Sequence, residues 1–344
     1  MSAPRAKSRR DAERGTVLLS TLLVLSLMSA VALGLLATLR VSVDTARTLQ
    51  EGAQADLYAQ GAESFAQAQA DQLAALDGPG LNAALAQAQP VLLPFDGGSI
   101  RARLRDGTHC LRLSGLAGAN GKADAAEQAR LQRLLEVLDV PRPDAARISA
   151  AAADWVDADT ATLPNGAEDG TYLFRDPPHR TANTHFADIS ELRALEGMSE
   201  AVFRALRPHV CLGTPGGPTR FNVDSADARH LPVLAAILGG DAPGLAQAAA
   251  LLDARPASGF GSTTALLSAP GLEGDARPAG FDPDVFVFAP DRVEVEAVIR
   301  YGEAERSRLL AFELGPNRAV RVHRDWGPNA FRPDLTPGEP SQTP

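Results

Sequence analysis

The sequence predicts an α+β protein that has a long N-terminal helix, a helical middle region and an antiparallel sheet. Three observations support this class. An apolar run near the N-terminus continues without interruption into a helical pattern, and amphipathic segments follow between about residues 114 and 215. The C-terminal part then alternates apolar and polar residues with period two. The net charge of -9 disfavours nucleic acid as a partner.

The long helix is predicted over residues 16–76, because this stretch is rich in Ala, Gln and Leu and contains no Pro. Residues 17–39 are uncharged and long enough to cross a hydrocarbon layer of about 30 Å. The basic residues that precede the run predict a cytoplasmic N-terminus and an exported C-terminal body. They are Arg5, Lys7, Arg9, Arg10 and Arg14.

The junction between the basic leader and the apolar run is Gly15-Thr16. Three interpretations are open: a discarded secretory signal, an ordinary membrane anchor, or a processing site that leaves the helix on the mature chain. A discarded signal has a shorter apolar core and no reason to continue into a long amphipathic helix.

The remaining segments predict a body that is interrupted by helices. Alternation around Asp106-Gly107 predicts a β-hairpin from Ile100 to Leu113. Two amphipathic helices are expected near residues 123–140 and 143–159, and a helix–Gly–helix hairpin is expected around Gly197. The same pattern recurs around Gly239-Gly240, and three strands follow. Residues 328–344 are rich in Pro and polar residues, which predicts a disordered tail.

The loop "DWVDADTATLPNGAEDGTY" concentrates the acidic residues. Asp157, Asp159 and Glu168 stand at positions 1, 3 and 12, the spacing of the outer ligands in an EF-hand, although the central Gly is missing. Hard carboxylates on such a loop suit Ca²⁺, with Asp154, Asp169 and Asn183 as further candidate ligands. The alternatives are a solvated acidic loop or a catalytic carboxylate pair.

Other catalytic motifs are absent from the sequence, since it contains no HExxH, GxSxG, Walker or CxxC pattern. The two cysteines, Cys110 and Cys211, belong to the exported part. An oxidising compartment would permit a disulfide between them, and the alternative is two separate buried thiols.

Several motifs together resemble the general secretion pathway protein K family, the atypical minor pseudopilins of the type II secretion system. The matching stretches are Asp154–Asp159, Gly166–Tyr172, Ser190–Met198 and Asn222–Ala226. The resemblance extends from about Arg14 to Gly327. One departure is the stretch Cys110-Leu111-Arg112-Leu113-Ser114, where the family usually carries two Asn residues.

The resemblance implies a pilin-like fold with a transmembrane N-terminal helix and an antiparallel sheet, plus a large α-helical (SAM-like) insertion. It divides the chain into a prepilin leader (1–15), the N-terminal helix (16–76), a pilin-like body (77–113 and 216–327) and the insertion (114–215). A prepilin peptidase would cut between Gly15 and Thr16, and the new terminal amine would be methylated. Ser20 then occupies the fifth mature position, where pilins usually carry Glu and this family does not.

The resemblance also implies calcium in the helical insertion and cysteines that match Cys110 and Cys211. It predicts a non-enzymatic subunit that caps the periplasmic pseudopilus and helps initiate its assembly. The implied partners are the minor pseudopilins I and J, the major pseudopilin filament, the inner membrane and the prepilin peptidase, but no nucleic acid. Two alternatives remain open: a minor pilin of a type IV pilus, or a signal-anchored periplasmic hydrolase that uses Asp157, Asp159 and Glu168.

Overall fold

The computed structural model describes residues 8–239, 244–316 and 318–326. The predicted tail at 328–344 and the first part of the predicted leader lie outside these residues. The helices are α1 (Ser8–Ala74), α2 (Gly78–Ala86), α3 (Ala125–Val137), α4 (Arg142–Val156), α5 (Asp169–Tyr172), α6 (Glu200–Leu206), α7 (Leu231–Leu238), α8 (Leu245–Asp253) and α9 (Thr263–Leu266). The strands are β1 (Val91–Phe95), β2 (Gly98–Asp106), β3 (Leu111–Arg112), β4 (Val210–Cys211), β5 (Phe221–Asn222), β6 (Phe286–Val287), β7 (Arg292–Tyr301), β8 (Ala304–Gly315) and β9 (Arg318–Trp326).

Helix α1 has an unpacked first half and a packed second half. Of the described residues, only this helix is long and apolar enough to cross a membrane; the mean hydropathy of its most apolar 18-residue window is 2.4. The apolar side chains from Val17 to Leu39 are all exposed. Further along, small residues such as Ala59, Ala66 and Ala70 are buried, so the helix lies close against the sheet. Small side chains allow this close approach, and the predicted continuous helix is confirmed.

The sheet body is a five-stranded antiparallel sheet with the strand order β1-β2-β7-β8-β9, and α1 packs on one face of it. The core between the helix and the sheet includes Ala66, Ala70, Val295, Leu310 and Phe312. The sheet also follows the period-two pattern, since alternate residues of β7 and β8 turn toward α1. The three C-terminal strands predicted from alternation are present.

The predicted hairpin around Asp106-Gly107 is wrong. Strand β2 ends at Asp106 and pairs with β1 through the tight turn at Asp96-Gly97, where Gly97 has a φ of 84°. The residues after Gly107 leave the sheet and form β3, which pairs in parallel with β4. The chain therefore exits the sheet where the sequence predicted a turn within it.

Residues 107–291, named the helical unit here, are inserted between the adjacent strands β2 and β7. They build one apolar core, in which Leu134, Ile148, Phe203 and Leu234 are buried. Residues from 221 to 286 contribute to the same core. Segments on both sides of residues 114–215 therefore share this core, and α7 packs against α3.

The helical unit lies at the end of the sheet farthest from the apolar run. Along α1, Glu51 accepts a hydrogen bond from the N–H of Glu303 in the β7–β8 turn, and Asp71 accepts one from Ala319 at the β8–β9 turn. The helical unit leaves the sheet at the register pair Asp106–Val293, close to this second turn. The order along the molecule is therefore apolar helix, sheet body, helical unit.

Candidate calcium site

The acidic loop lies between α4 and α5, and its first carboxylate belongs to α4. Asp154 is fully buried in the last turn of this helix, and its carboxylate accepts the N–H of Leu163 at 3.1 and 3.3 Å. Gly166 closes the loop on the same carboxylate. A Cβ at position 166 would lie 2.0 Å from Oδ2 of Asp154, so only glycine fits there.

Three oxygen atoms around this loop have no hydrogen-bond partner among the described residues. They are Oδ1 of Asp157, Oε1 of Glu168 and Oδ1 of Asn183, and all three are buried. Asp157 is 3% exposed and Glu168 is 5% exposed. A buried ionised carboxylate without a partner is costly, and in the ionised state its oxygens accept hydrogen bonds or bind a cation, as the Asn183 amide oxygen does. Their chemistry is that of ligands for a hard cation such as Ca²⁺.

Burial and mutual repulsion raise the pKa values of the carboxyl groups in this loop. Burial raises the pKa of Asp154 to about 6, and the negative charge of Glu168 adds to this effect. Burial, followed by repulsion from Asp159 and Asp154, raises the pKa of Asp157 to about 6. Burial also raises the pKa of Glu168. A bound divalent cation would reverse these shifts, because it stabilises the ionised forms.

Two of the predicted ligands are already engaged by other groups. Asp159 is exposed and accepts the N–H of Ala161 at 2.8 Å. Asp169 accepts the N–H of Thr181 and the guanidinium of Arg180, each at 3.0 Å. Within the described part of the chain, no three His, Cys, Asp or Glu side chains are grouped as a metal site would need. A cation here would therefore require the Asn183 amide oxygen and backbone carbonyls besides Asp157 and Glu168.

Thr181 is a residue of this site that the sequence did not reveal. Its buried hydroxyl contacts Oε2 of Glu168 at 3.0 Å and Oδ1 of Asp169 at 3.1 Å, so it orients both acids. Asn183 follows two residues later with a φ of 48°, and its N–H donates to the carbonyl of Trp155 at 3.0 Å. This bond ties the returning segment to the end of α4. The stretch "RTANTH" gives no sequence signal that Thr181 contacts these acids.

The two cysteines are joined at the base of the helical unit. Cys110 and Cys211 form a disulfide with a Cα–Cα distance of 5.8 Å and a sequence separation of 101. The bond lies beside the parallel pair β3–β4, where Arg112 is in register with Cys211. It thus fastens the segment that enters the helical unit to a segment from its middle.

The predicted cleavage position lies within α1. Gly15 and Thr16 belong to the helix that begins at Ser8, so the leader and the apolar run share one continuous helix in this structure. Ser20 also lies on this helix, where its hydroxyl donates to the carbonyl of Val17 at 2.9 Å. No acidic side chain stands at this fifth position after Gly15.

A long apolar helix packed on an antiparallel sheet, with a helical insertion, defines a pilin-like class of protein, and comparison with known proteins refines it. Two family models described as type II secretion system (T2SS), protein K, match residues 109–214 and 221–285. The type II secretion system protein K of Klebsiella pneumoniae is 36% identical over 322 residues, covering 92% of this chain and 97% of that relative. The protein of the same name from Pectobacterium carotovorum subsp. carotovorum is 30% identical over 330 residues, covering 92% and 98%.

A solved structure has the same architecture. A chain of the crystal structure of the GspK-GspI-GspJ complex from the enterotoxigenic Escherichia coli type 2 secretion system matches with a TM-score of 0.64 and 27% identity. The match covers 82% of this chain and 98% of that chain. The chain belongs to the type II secretion system protein K family, whose members are minor pseudopilins and therefore structural components of the apparatus, not enzymes. The hydrolase interpretation of the acidic loop is accordingly not retained.

Proposed function

We propose that this chain caps the tip of the periplasmic pseudopilus and helps to initiate its assembly, so that folded proteins are exported across the outer membrane. The observation that carries this proposal is the position of the helical unit. It extends from the end of the sheet opposite the membrane span, between Asp106 and Arg292. A further subunit stacked above would have to occupy the same space.

The proposed partners are the minor pseudopilins I and J of the same system, with the major pseudopilin filament below. Support comes from the solved complex that contains the E. coli relative, because the match extends over 98% of that chain. The absence of Glu at Ser20 fits a first subunit, since in pilins this Glu pairs with the terminal amine of an earlier subunit. An unpaired acid at this depth in a bilayer would also be costly.

The proposed location is the inner membrane, with a single pass through residues 17–39 and the C-terminal body in the periplasm. A prepilin peptidase would cut between Gly15 and Thr16, and the new N-terminus would be methylated. Mass spectrometry of the chain from its native membrane tests this step. A mature chain that begins with N-methylated Thr16 supports it, and an intact chain beginning at Met1 contradicts it.

Calcium is the proposed ligand of the acidic loop, held by Asp157 and Glu168 together with the Asn183 amide oxygen. Asp154 would act mainly by holding the loop, because its oxygens accept the Leu163 N–H. Bound calcium would neutralise buried charge and fix the loop in place. Calorimetric titration of the purified chain should show Ca²⁺ binding that is lost when Asp157→Ala is combined with Glu168→Ala. Binding that survives both changes would contradict the proposed ligands.

Deletion of the gene tests the role itself. We expect the deletion to block secretion of folded exoproteins and to reduce the number of pseudopili, while twitching motility continues. The full-length chain supplied on a plasmid should restore secretion. A variant in which a short turn between Asp106 and Arg292 replaces the helical unit separates capping from the initiation of assembly. Full secretion by that variant would contradict the capping function.

A further inference from the structure

A cleft of about 830 Å³ lies on the flank of the molecule where the sheet body meets the helical unit. Its floor is the end of β2, from Arg103 to Asp106, and one wall is α2. The other wall consists of two segments of the helical unit, residues 224–230 and 255–259. None of the residues assigned above to calcium, cleavage or the disulfide lines this flank cleft.

The floor of the flank cleft is an unpaired strand edge. Strand β1 begins opposite Ala102, so the last four residues of β2 pair with β7 alone. The N–H of Gly107 donates to the carbonyl of Arg292 at 3.0 Å, and this bond sets the alternation of the antiparallel ladder. The main-chain groups of Leu104 and Asp106 therefore point away from β7 and into the cleft. In the described part of the chain, neither makes a backbone hydrogen bond on that side.

The charged side chains around the flank cleft are already satisfied by one another and by the backbone. Asp106 accepts hydrogen bonds from Asn222 at 2.9 Å and from Ser225 at 2.6 Å. Asp224 accepts two backbone N–H groups, and Arg255 donates to two backbone carbonyls. A metal ion or a phosphate would thus find few free groups. The unused hydrogen-bonding capacity is that of a strand edge, which binds an extended peptide.

The α2 wall fixes the size of the side chains that fit. The residues of α2 that line the cleft carry no charge, and they are Asn82, Ala83, Leu85 and Ala86. We propose that the flank cleft receives an extended, uncharged peptide segment of a neighbouring minor pseudopilin, which adds as a strand to the free edge of β2. The proposal rests on the proposed function, because it takes the neighbour from the pseudopilus tip.

The surroundings of the flank cleft favour a neighbour that stands beside the sheet. Next to it, the edge strand β1 exposes Val91, Leu92 and Leu93, which are 50%, 58% and 44% exposed. The opposite edge, β9, presents charged residues such as Arg318 and has a register shift in its pairing with β8. Charges, bulges and prolines protect an edge from pairing, and the exposed residues Val91 to Leu93 of β1 include none of these, although Pro94 follows them. A secreted protein that approached the molecule from the side of the helical unit would contact that unit before the flank cleft, so it is a less suitable occupant.

Hydrogen exchange tests the proposal directly. The full chain in detergent is mixed with purified minor pseudopilin I, with J and with both, and the amides of Leu104 and Asp106 are followed. We expect their exchange to slow at least tenfold in one of these complexes. The amide of Arg105, which points toward β7, serves as an internal control and should change little.

A bulky side chain in the flank cleft gives a second test. Ala86 is exposed and lines the cleft, whereas the next residue, Gln87, is equally exposed but lies outside it. Ala86→Trp should weaken binding of the protected partner at least tenfold, and Gln87→Trp should leave it unchanged. Because both changes add the same ring to the same helix end, a general loss of folding would affect both variants.

The outcomes separate this proposal from the proposed function. If I and J bind, but the two amides exchange as in the free chain and Ala86→Trp binds normally, only the flank cleft is excluded. If neither I nor J binds at all, the partners of the proposed function fail together with the cleft. Protection that appears without a partner and grows with the concentration of the chain would mean self-association, and would also overturn the proposal.

Discussion

The helical unit and the sheet body are stabilised in different ways, although they lie in one chain. The helical unit has a large apolar core of its own, closed by the Cys110–Cys211 disulfide. The sheet body has a small core and depends on α1, which it holds through charged pairs such as Glu63 with Arg308. The helical unit is therefore nearly self-contained, whereas the body is stable only with its helix.

Removal of the disulfide should have the largest effect and should act on the helical unit. Cys110→Ala with Cys211→Ala opens a loop of about 100 residues, for which chain entropy predicts a loss of about 4–5 kcal/mol. Denaturant unfolding measures the loss, and hydrogen exchange should place it in residues 107–291. The free energy of unfolding of the double variant is compared with that of the wild-type chain in its oxidised and in its reduced form. Equal loss of protection in the sheet body would contradict the independence of the two parts.

The effect of pH on the stability of the helical unit should reverse when calcium is bound. With chelator present, the raised pKa values of Asp154 and Asp157, both about 6, mean that the folded state binds protons more tightly than the unfolded state. Stability without metal should therefore rise as the pH falls from about 7 toward 5. With Ca²⁺ at 100 times its dissociation constant, stability at pH 7 should be higher by about 2.7 kcal/mol, and acid should lower it.

Thermal melts at several pH values, once in chelator and once in calcium, measure how the stability changes with pH in each condition. The two slopes of stability against pH should have opposite signs. Asp157→Asn removes one titrating group and one charged ligand, so both slopes should flatten. Asp159→Asn is the matched control, because this neighbouring acid is exposed and its oxygen accepts only a local N–H. Identical melting with chelator and with calcium would exclude the metal from the loop.

The charged attachment of α1 should show a smaller effect, confined to the sheet body. Glu63 is 8% exposed and accepts from Arg308 at 3.2 Å and Arg324 at 2.8 Å. Glu63→Ala removes the buried carboxylate that both cations contact, at a cost of about 2–3 kcal/mol. Asp56→Ala is the control, since that carboxylate is 43% exposed and its removal should cost less than about 1 kcal/mol. Urea unfolding of both variants checks the difference, and equal losses would contradict it.

Much of the fold, but less of the site, was predictable from the sequence. Helix α1, the helices α3 and α4, and strands β7 to β9 follow directly from apolar periodicity. The hairpin was misplaced because two Asp-Gly pairs compete: the turn is made at Asp96-Gly97, and at Asp106-Gly107 the chain leaves the sheet. Local turn chemistry is the same at both pairs, and only tertiary pairing distinguishes them.

The acidic loop illustrates the other limit. Spacing identified Asp157 and Glu168, each of which has one buried oxygen without a partner. It gave equal weight to Asp159, which is exposed and accepts the N–H of Ala161. Which oxygens remain free depends on the returning segment that carries Thr181, and no periodicity encodes that contact. The core of the helical unit is another example, because α7 joins it from beyond residue 215 through contacts that no local pattern encodes.

The smallest expected effect concerns the turn at Gly97, at the end of the sheet nearer the apolar run of α1. Gly97 has a φ of 84°, and an added Cβ would lie 2.9 Å from the ring of Tyr301, so Gly97→Ala should destabilise the body by about 1–2 kcal/mol. Gly61→Ala is the control on α1, where an added Cβ meets nothing within 4 Å and a helix gains about 1 kcal/mol from Ala. Denaturant midpoints should therefore move in opposite directions. Because both residues belong to the sheet body, exchange within the helical unit should stay unchanged in each variant, and a change there would mean that the two parts unfold together.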